Sequence, residues 1–405
     1  MKKKIIVLGT GFAAFRFLKK IDISKYEVIV VSPRNHFLFT PLLPSTTVGT
    51  IEFRSIIEPI RNIDNITFYQ SYCTEIDKAN NKIICIDTDT GTRFELGFDY
   101  LVIAVGEVTN TFNVEGVGKY ALFLKELSDA RKIRTKVVEC FENAYLPGIS
   151  EEKRKQFLRF VVCGGGPTGV EFAAELNDFI EDDVKKKYPE ISKDVEIILV
   201  ESRNKLLATF DEKLSEYTMK VFQRQNINLL MNTYITSLDE NKIFLSNGDT
   251  IDYGLLVWAT GNTSTELVKE SGFELNKQGK IITDSFFRVK NSQNIFAIGD
   301  CAGIENKNLP ATAQVAQQQG VYLAKFFNDG LNQTNEFEFK SLGMLAYIGD
   351  SKALADTSQY KGTGFKTFIL WRSAYLTKLV SLKNKVLVIF DWVKTFLFGR
   401  DISSF

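Results

Sequence analysis

Lys3-Lys4-Ile5-Ile6-Val7-Leu8-Gly9-Thr10-Gly11-Phe12-Ala13-Ala14 runs from aliphatic residues into two closely spaced glycines and then into helix-forming residues. The pattern predicts a buried strand, a tight turn and the start of a helix. Its form is G-x-G-x-x-A. Gly9 permits the turn, Gly11 lets a pyrophosphate approach the backbone, and Ala14 keeps helix and strand close. The helix N-terminus then faces the phosphates. A single glycine turn of this kind also arises by chance.

Recurrence removes the chance reading. Phe160-Val161-Val162-Cys163-Gly164-Gly165-Gly166-Pro167-Thr168-Gly169 is a second strand and a G-x-G-x-x-G turn, 155 residues after the first. Asp99-Tyr100-Leu101-Val102-Ile103-Ala104-Val105-Gly106 is echoed by Asp252-Tyr253-Gly254-Leu255-Leu256-Val257-Trp258-Ala259-Thr260-Gly261. The closing glycines of this pair keep the same 155-residue offset. Two landmarks with one offset indicate two copies of one dinucleotide-binding unit. The expected class is α/β, with two Rossmann-like dinucleotide-binding domains and a C-terminal amphipathic-helical membrane-anchoring region.

The two units differ where a dinucleotide's ribose is usually held by an acidic residue at the end of the second strand. In the first unit the strand beginning at Tyr26 ends at Ser32, followed by Pro33-Arg34. Serine still exchanges a hydrogen bond, and Arg34 suits a phosphate or an adenine face. In the second unit Val195–Glu201 ends in a carboxylate. That favours two ribose hydroxyls and repels a 2′-phosphate, so NADH is expected over NADPH.

Composition bounds the rest. A chain of 405 residues makes two or three domains. The net charge of +1 offers no global attraction to nucleic acid. Five cysteines without a C-x-x-C spacing argue against a zinc site or a disulfide framework, and a reducing compartment is expected. No metal is expected. The chain enters its first strand directly from Met1-Lys2-Lys3-Lys4, with no signal or transit peptide expected ahead of it. No stretch holds the ~18 uninterrupted apolar residues of a spanning helix. His36 is the one histidine, and a structural or solvated role is expected for it.

Local patterns add detail. Asn35 to Pro44 reads as a stiff, non-helical segment. Leu127 to Cys140 reads as a helix. Residues 176–194 read as helix plus a charged surface insertion. Asn294 to Asp300 is a buried strand closing on glycine and a carboxylate. A helix then opens near Pro310, carrying Gln314 and Gln318 one turn apart, with Gln317 beside them. From Lys361 to Arg400 eight basic residues face one acid, Asp391, among interleaved aromatics and aliphatics. Val386, Ile389, Phe390, Trp392, Val393, Phe396 and Leu397 share one arc, and Asp391, Lys394 and Thr395 the other, where Leu387 and Phe398 fall too. This suits helices lying in an anionic membrane interface; docking on the protein's own domain is the alternative.

Taken together these residues resemble the flavoproteins with two dinucleotide-binding domains, and within them the type II NADH:quinone oxidoreductases, in particular the yeast-mitochondrial internal type. The resemblance is carried by Ser32-Pro33-Arg34-Asn35 with Phe37 to Pro44, by Cys163 to Glu171, and by Trp258-Ala259-Thr260-Gly261-Asn262. Asn294 to Asp300, Ala313-Gln314-Val315-Ala316, Leu342 to Tyr347, Leu370-Trp371-Arg372 and Phe390-Asp391-Trp392 extend it over nearly the whole chain.

The resemblance implies domains at 1–112 with 264–330 for FAD, 113–263 for NADH, and 331–405 for membrane association. It implies FAD held through Gly9, Thr10, Gly11, Phe12 and Ala13, with Ser32 and Arg34 near the adenosine, and with Gly106, Asp300 and Gln314 along the cofactor. NADH is expected at Gly164, Gly166, Gly169, Glu201 and Gly261, with Glu171 beside the nicotinamide. Gln314, Gln317, Gln318 and Tyr347 are expected on the quinone side. Yeast-type members carry histidine where Gln317 stands, and bacterial members use a second glutamine as at Gln318, so which glutamine orients the quinone stays open. The implied activity is two-electron transfer from NADH by way of FAD to ubiquinone or menaquinone, without proton pumping. The implied partners are an anionic membrane surface and a second copy in a homodimer, with no nucleic acid. The expected location is the cytoplasmic face of a bacterial inner membrane or a mitochondrial inner membrane. Two rivals remain: a sulfide:quinone oxidoreductase-like flavoprotein, which needs redox cysteines near the flavin, and a membrane-docked flavoprotein with a binding or signalling role.

Overall fold

Ile5, Ile6 and Val7 are wholly buried, as a strand covered on both faces must be. In the computed structural model, which describes residues 2–332 and 334–403, that strand lies inside the first of two units. The first unit holds residues 1–38, 58–108 and 262–341, and the second holds 39–57, 109–261 and 342–405.

The first unit is built on a seven-stranded sheet. Its order is Ile295–Ala297, Tyr100–Ile103, Lys3–Leu8, Tyr26–Ser32, Thr67–Asp77, Lys82–Asp87 and Arg93–Gly97. The first five strands run parallel. Thr67–Asp77 is long because it serves two ladders. Thr67 to Gln70 pair parallel with Tyr26–Ser32, and Ser71 to Asp77 pair antiparallel with Lys82–Asp87. Ile6, Leu8, Ile29, Val31, Ile103 and Ile295 share one apolar cluster on the sheet. The helix Ala313–Asn328 crosses the helix Phe12–Leu18 at Gly320, where a Cβ would stand 2.2 Å from the Ala13 carbonyl oxygen. Only glycine admits that approach.

The second unit repeats the plan. Its sheet runs Leu122–Phe123, Leu255–Trp258, Arg159–Cys163, Glu196–Glu201 and Ile227–Met231, all parallel. In both units the strand before the glycine turn lies between the strand leading to the later glycine, Gly106 or Gly261, and the strand that ends at Ser32 or Glu201. The internal repeat read from the sequence is thus a repeat of topology and register.

The tail belongs to the second unit. A three-stranded antiparallel sheet, Met344–Tyr347, Ala353–Asp356 and Lys361–Gly364, leads into the helices Phe365–Lys378 and Leu382–Phe398. The last helix docks through its polar arc. Asp391 accepts from the Ser55 hydroxyl at 2.6 Å and the Glu52 amide at 3.0 Å, and Lys394 pairs with Glu52 at 2.7 Å. Thr395 donates to the Thr50 carbonyl, and Asn384 donates to the carbonyls of Ser55 and Ile57. The apolar arc is left outside: Leu382, Val386, Phe390 and Phe396 are exposed, Phe396 by 88%, and Phe398 at the helix end is exposed as well. A helix on a water-facing surface shows the opposite arrangement. Among the described residues no helix is long and apolar enough to cross a membrane.

Some local expectations change. By contacts the chain divides at 108/109 and 261/262, and residues 342–405 pack with 39–57 through the contacts above. Asn35 to Pro44 is partly helical: Thr40–Leu42 and Leu43–Thr46 are helical turns whose prolines stand at first-turn positions, where no backbone N–H is needed. The glutamine helix begins at Ala313, capped by the Thr312 hydroxyl on the Val315 amide, so Pro310 lies outside it. Residues 176–194 are not a surface insertion throughout. The helix Pro167–Phe179 runs on through Ile180–Val184, and Asp178, Asp183 and Ile191 are buried.

Candidate active site

The two glycine turns have matching geometry. Gly9 has φ +104°, and a Cβ there would lie 2.4 Å from the Ala104 carbonyl oxygen. Gly164 has φ +114°, with the Ala259 carbonyl oxygen at 2.9 Å. Any side chain would force the turn away from the neighbouring strand. Gly11 and Gly166 are the N-caps of the following helices, and neither helix has a side-chain cap. A Cβ on either glycine meets nothing within 4 Å. Each turn therefore presents backbone N–H groups at the positive end of a helix toward open space, as a pyrophosphate requires. The residues present fit FAD at the first turn and a nicotinamide dinucleotide at the second.

Around the first turn, Thr10, Ser32 and Arg34 form one polar knot. The Thr10 and Ser32 hydroxyls lie 3.2 Å apart, the Arg34 amide donates to Ser32, and Thr10 donates to the Arg34 carbonyl. The hydroxyl pair thus occupies the place an acidic residue would take. Phe12 packs edge-on against Phe37, and Ala13 lies under Gly299. The Gly299 amide, next to Asp300, donates to Gln319 at 2.6 Å. Gln319 is buried, and sequence reasoning passed over it in favour of its neighbours. Its signal was its place on the opposite side of the helix from Gln314.

Gln317 and Gln318 are both engaged. Gln317 accepts from Arg16 at 3.0 Å, and the Gln318 amide is held by the backbone of Lys340 at 2.9 and 3.0 Å. Both line an open groove with Arg16, Tyr322 and Lys325. Gln314 stands in the first turn of the same helix. His36 is half-buried; burial and Arg34 lower its pKa to about 4, so it is neutral.

In the second unit, Glu201 reaches back over the glycine turn. One carboxylate oxygen accepts from the Gly165 amide at 2.6 Å, and the other from the Arg203 amide at 2.8 Å. Gly169 lies so close to Gly164 that a Cβ would be 2.0 Å from its carbonyl oxygen. Gly261 lies under the Phe112 ring, 2.5 Å from a would-be Cβ, and Phe112 is an exposed aromatic the sequence reading did not single out.

The same unit holds a ladder of acids. Glu171, Glu175 and Asp178 follow one another along a buried face of the Pro167–Phe179 helix. Burial raises the Glu171 carboxyl to about 8, although the Tyr347 amide donates to it at 3.2 Å. Asp178 is raised to about 7, again by burial, with the Tyr347 hydroxyl donating to it. Glu175 accepts from Ser45 and Thr50, each at 2.6 Å. Arg400 closes the far end on Asp183 at 2.9 Å. Glu171 and Tyr347 are thus brought together, through the tyrosine's backbone. The Tyr347 hydroxyl belongs to Asp178, and its ring packs against Phe368 and Trp371. Asp178 and Arg400 were not foreseen, because their partners are remote in sequence. Among the described residues no cluster of His, Cys, Asp or Glu is arranged to hold a metal.

Comparison with known proteins agrees with this geometry. Residues 3–320 match the pyridine nucleotide-disulphide oxidoreductase family, and residues 342–401 match the NDH2 C-terminal domain. A probable NADH dehydrogenase of Dictyostelium discoideum is 48% identical over 412 residues, covering 100% of this chain and 91% of the relative. The mitochondrial external NADH-ubiquinone oxidoreductase 2 of Saccharomyces cerevisiae is 40% identical, covering 99% of this chain and 82% of its own length. The solved structure of NDH2 from Plasmodium falciparum in complex with NADH superposes with a TM-score of 0.96 at 33% identity, over 100% of both chains. A sulfide:quinone oxidoreductase of Aquifex aeolicus shares the fold alone, at 19% identity and a TM-score of 0.74. The chain belongs to the pyridine nucleotide-disulphide oxidoreductase family, and within it to the type II NADH:quinone oxidoreductases.

Proposed function

We propose that this chain, an FAD-dependent NADH:quinone oxidoreductase, works at the surface of a respiratory membrane and takes its quinone from the lipid. The observation that carries the reading is the doubled glycine turn: one copy ends its second strand in Ser32, and the other ends it in Glu201 set against the turn itself. Bound FAD supplies the two-electron relay between pyridine nucleotide and quinone.

The chain's own residues then do the following. Gly9 shapes the turn, its own amide donating to the Val31 carbonyl, while Thr10 and Gly11 hold the flavin pyrophosphate by backbone N–H groups, with Arg34 toward the adenosine half. In the second turn Gly164 has the same shaping part, its amide on the Val200 carbonyl, Gly169 lets the helix pack close, and the Gly166 end of the helix faces the NADH pyrophosphate; Glu201 takes the ribose hydroxyls and disfavours a 2′-phosphate. Glu171, neutral at pH 7 because it is buried, offers a proton beside the nicotinamide. Gln314, in the first turn of the Ala313–Asn328 helix, orients the quinone.

The outward apolar arc of the last helix supports the membrane assignment, with Lys366 and Lys383 exposed to meet anionic headgroups. Mitochondrial relatives support an inner mitochondrial membrane. Removing the tail is a poor test, since Arg400 and Asp391 go with it; replacing Phe390 and Phe396 by glutamate leaves the docking arc intact. Loss of co-sedimentation with anionic vesicles is expected, and undiminished binding would refute the assignment.

The reaction is tested by anaerobic titration with NADH while the oxidised-flavin absorbance is followed, then by adding a short-chain quinone. Bleaching followed by recovery is expected. Bleaching without recovery would remove the quinone from the reading, and no bleaching would remove NADH. Sedimentation in mild detergent checks the homodimer.

A further inference from the structure

Cys73 and Cys85 are twelve positions apart in sequence and face each other directly across the ladder of Thr67–Asp77 and Lys82–Asp87. Opposed residues of an antiparallel pair put their side chains on the same face. Here that face is the apolar cluster of the first unit: Cys85 is one of its buried members, and Cys73 packs against it, partly open to solvent. An antiparallel ladder sets opposed Cα atoms about 4.5 or about 5.5 Å apart. Either spacing lies within the roughly 4.4–6.8 Å that a disulfide spans. The ladder shifts register immediately after this pair, with Thr74 as the extra residue, so the local backbone already departs from a regular ladder.

We propose that Cys73 and Cys85 are a reversible dithiol–disulfide site, closed by peroxide and opened by small dithiols. The partly open Cys73 sulphur is the one a peroxide meets first. Its thiolate attacks one peroxide oxygen, the O–O bond breaks, and water leaves after protonation, giving a sulfenic acid. The Cys85 sulphur then attacks the Cys73 sulphur, the S–O bond breaks, and a second water leaves. In total two thiols and one hydrogen peroxide become one disulfide and two waters; sulphur gives up two electrons and the peroxide takes them. The adjacent thiol thereby intercepts the sulfenic acid before further, irreversible oxidation. The Cys73 thiol donates to the Glu75 carbonyl, and its closeness to Cys85 raises Cys73 and lowers Cys85, so the Cys73 thiolate forms only as its proton leaves for solvent and closure is slow at neutral pH. The other three cysteines, Cys140, Cys163 and Cys301, are buried, which keeps peroxide from them.

The test uses the holoenzyme. It is exposed to hydrogen peroxide, denatured in iodoacetamide and digested with trypsin. Lys78 and Lys82 separate the two cysteines, so an internal link joins two distinct peptides. Alkylatable thiols should fall from five to three, with Cys73 and Cys85 in one linked pair, and return to five after dithiothreitol. In Cys73→Ser no link should form and Cys85 should stay alkylatable. Cys73 recovered as a sulfinic acid with Cys85 alkylated would overturn the proposal. So would five alkylatable thiols after peroxide, or a link between two chains.

Discussion

The two glycine turns share a backbone and differ in what surrounds it. Gly9 and Gly164 have nearly the same φ and abut carbonyls at equivalent places, so the turn is a fixed device. The contrast is at the strand end. The first copy closes with a neutral knot of Thr10, Ser32 and Arg34, and the second with the Glu201 carboxylate braced on two backbone amides. Duplication kept the part that holds phosphate and diversified the part that tells one dinucleotide from another.

The strongest way to break this comparison is Gly9→Ala against Gly164→Ala. The first should lose bound flavin almost entirely, read as the flavin-to-protein absorbance ratio, because its Cβ would meet a carbonyl at 2.4 Å. The second should keep its flavin and raise KM for NADH by at least ~10-fold. Equal flavin loss in both variants would mean that the turns are not independent. Next, Glu201→Ala removes a charged hydrogen-bond acceptor worth roughly 1.5–3 kcal/mol, so kcat/KM for NADH should fall about 10- to 100-fold. The preference over NADPH should shrink with it; unchanged selectivity would remove Glu201 from the ribose site.

A third contrast concerns pH. Asp178 and Glu171 titrate higher in the folded chain than in the unfolded one, so the folded state holds more protons between about pH 4 and pH 8. Their contribution to stability is therefore greatest at the acid end of that window and is lost as pH rises through 7 and 8. Tm should drop by roughly 2–5 °C between pH 5.5 and pH 8.5 on their account. Asp178→Asn should flatten the slope below about pH 7 and leave the part between 7 and 8 to Glu171, and an unchanged slope would place the titration elsewhere. The smallest effect is expected at Ser32→Ala, which loses neutral hydrogen bonds worth about 1 kcal/mol. Flavin dissociation should quicken only a few-fold, and a loss as large as that of Gly9→Ala would show that Ser32 carries more than its hydroxyl contacts suggest.

What the sequence disclosed was whatever depends on neighbours along the chain. The continuous apolar run of residues 5–8, the glycine spacings and the shared offset define strands, turns and duplication locally, and the structure follows them. What it withheld depends on distant partners. Nothing near Asp178 or Asp183 announces burial; Tyr347 and Arg400, about 170 and 220 positions away, make it possible. The helix Leu382–Phe398 was legible as two-faced, but its sequence does not say which face is inward. Glu52 and Ser55 settle that by taking the polar arc. Cys73 and Cys85 lacked a recognisable spacing because a hairpin register, not a motif, sets them opposite each other.

The Arg400–Asp183 pair also has a consequence for how the protein is made. A ribosome adding about 5–20 residues per second needs roughly 10–40 s to travel from one partner to the other. During that interval the helix bearing Glu171, Glu175 and Asp178 lacks the arginine that closes its far end. The buried Asp183 gains this partner only after the helix Leu382–Phe398 has been made. A nascent chain stalled before Arg400 leaves Asp183 without this partner and should be a client of chaperones or proteases, so a single long-range ion pair would mark when this unit is ready to leave them.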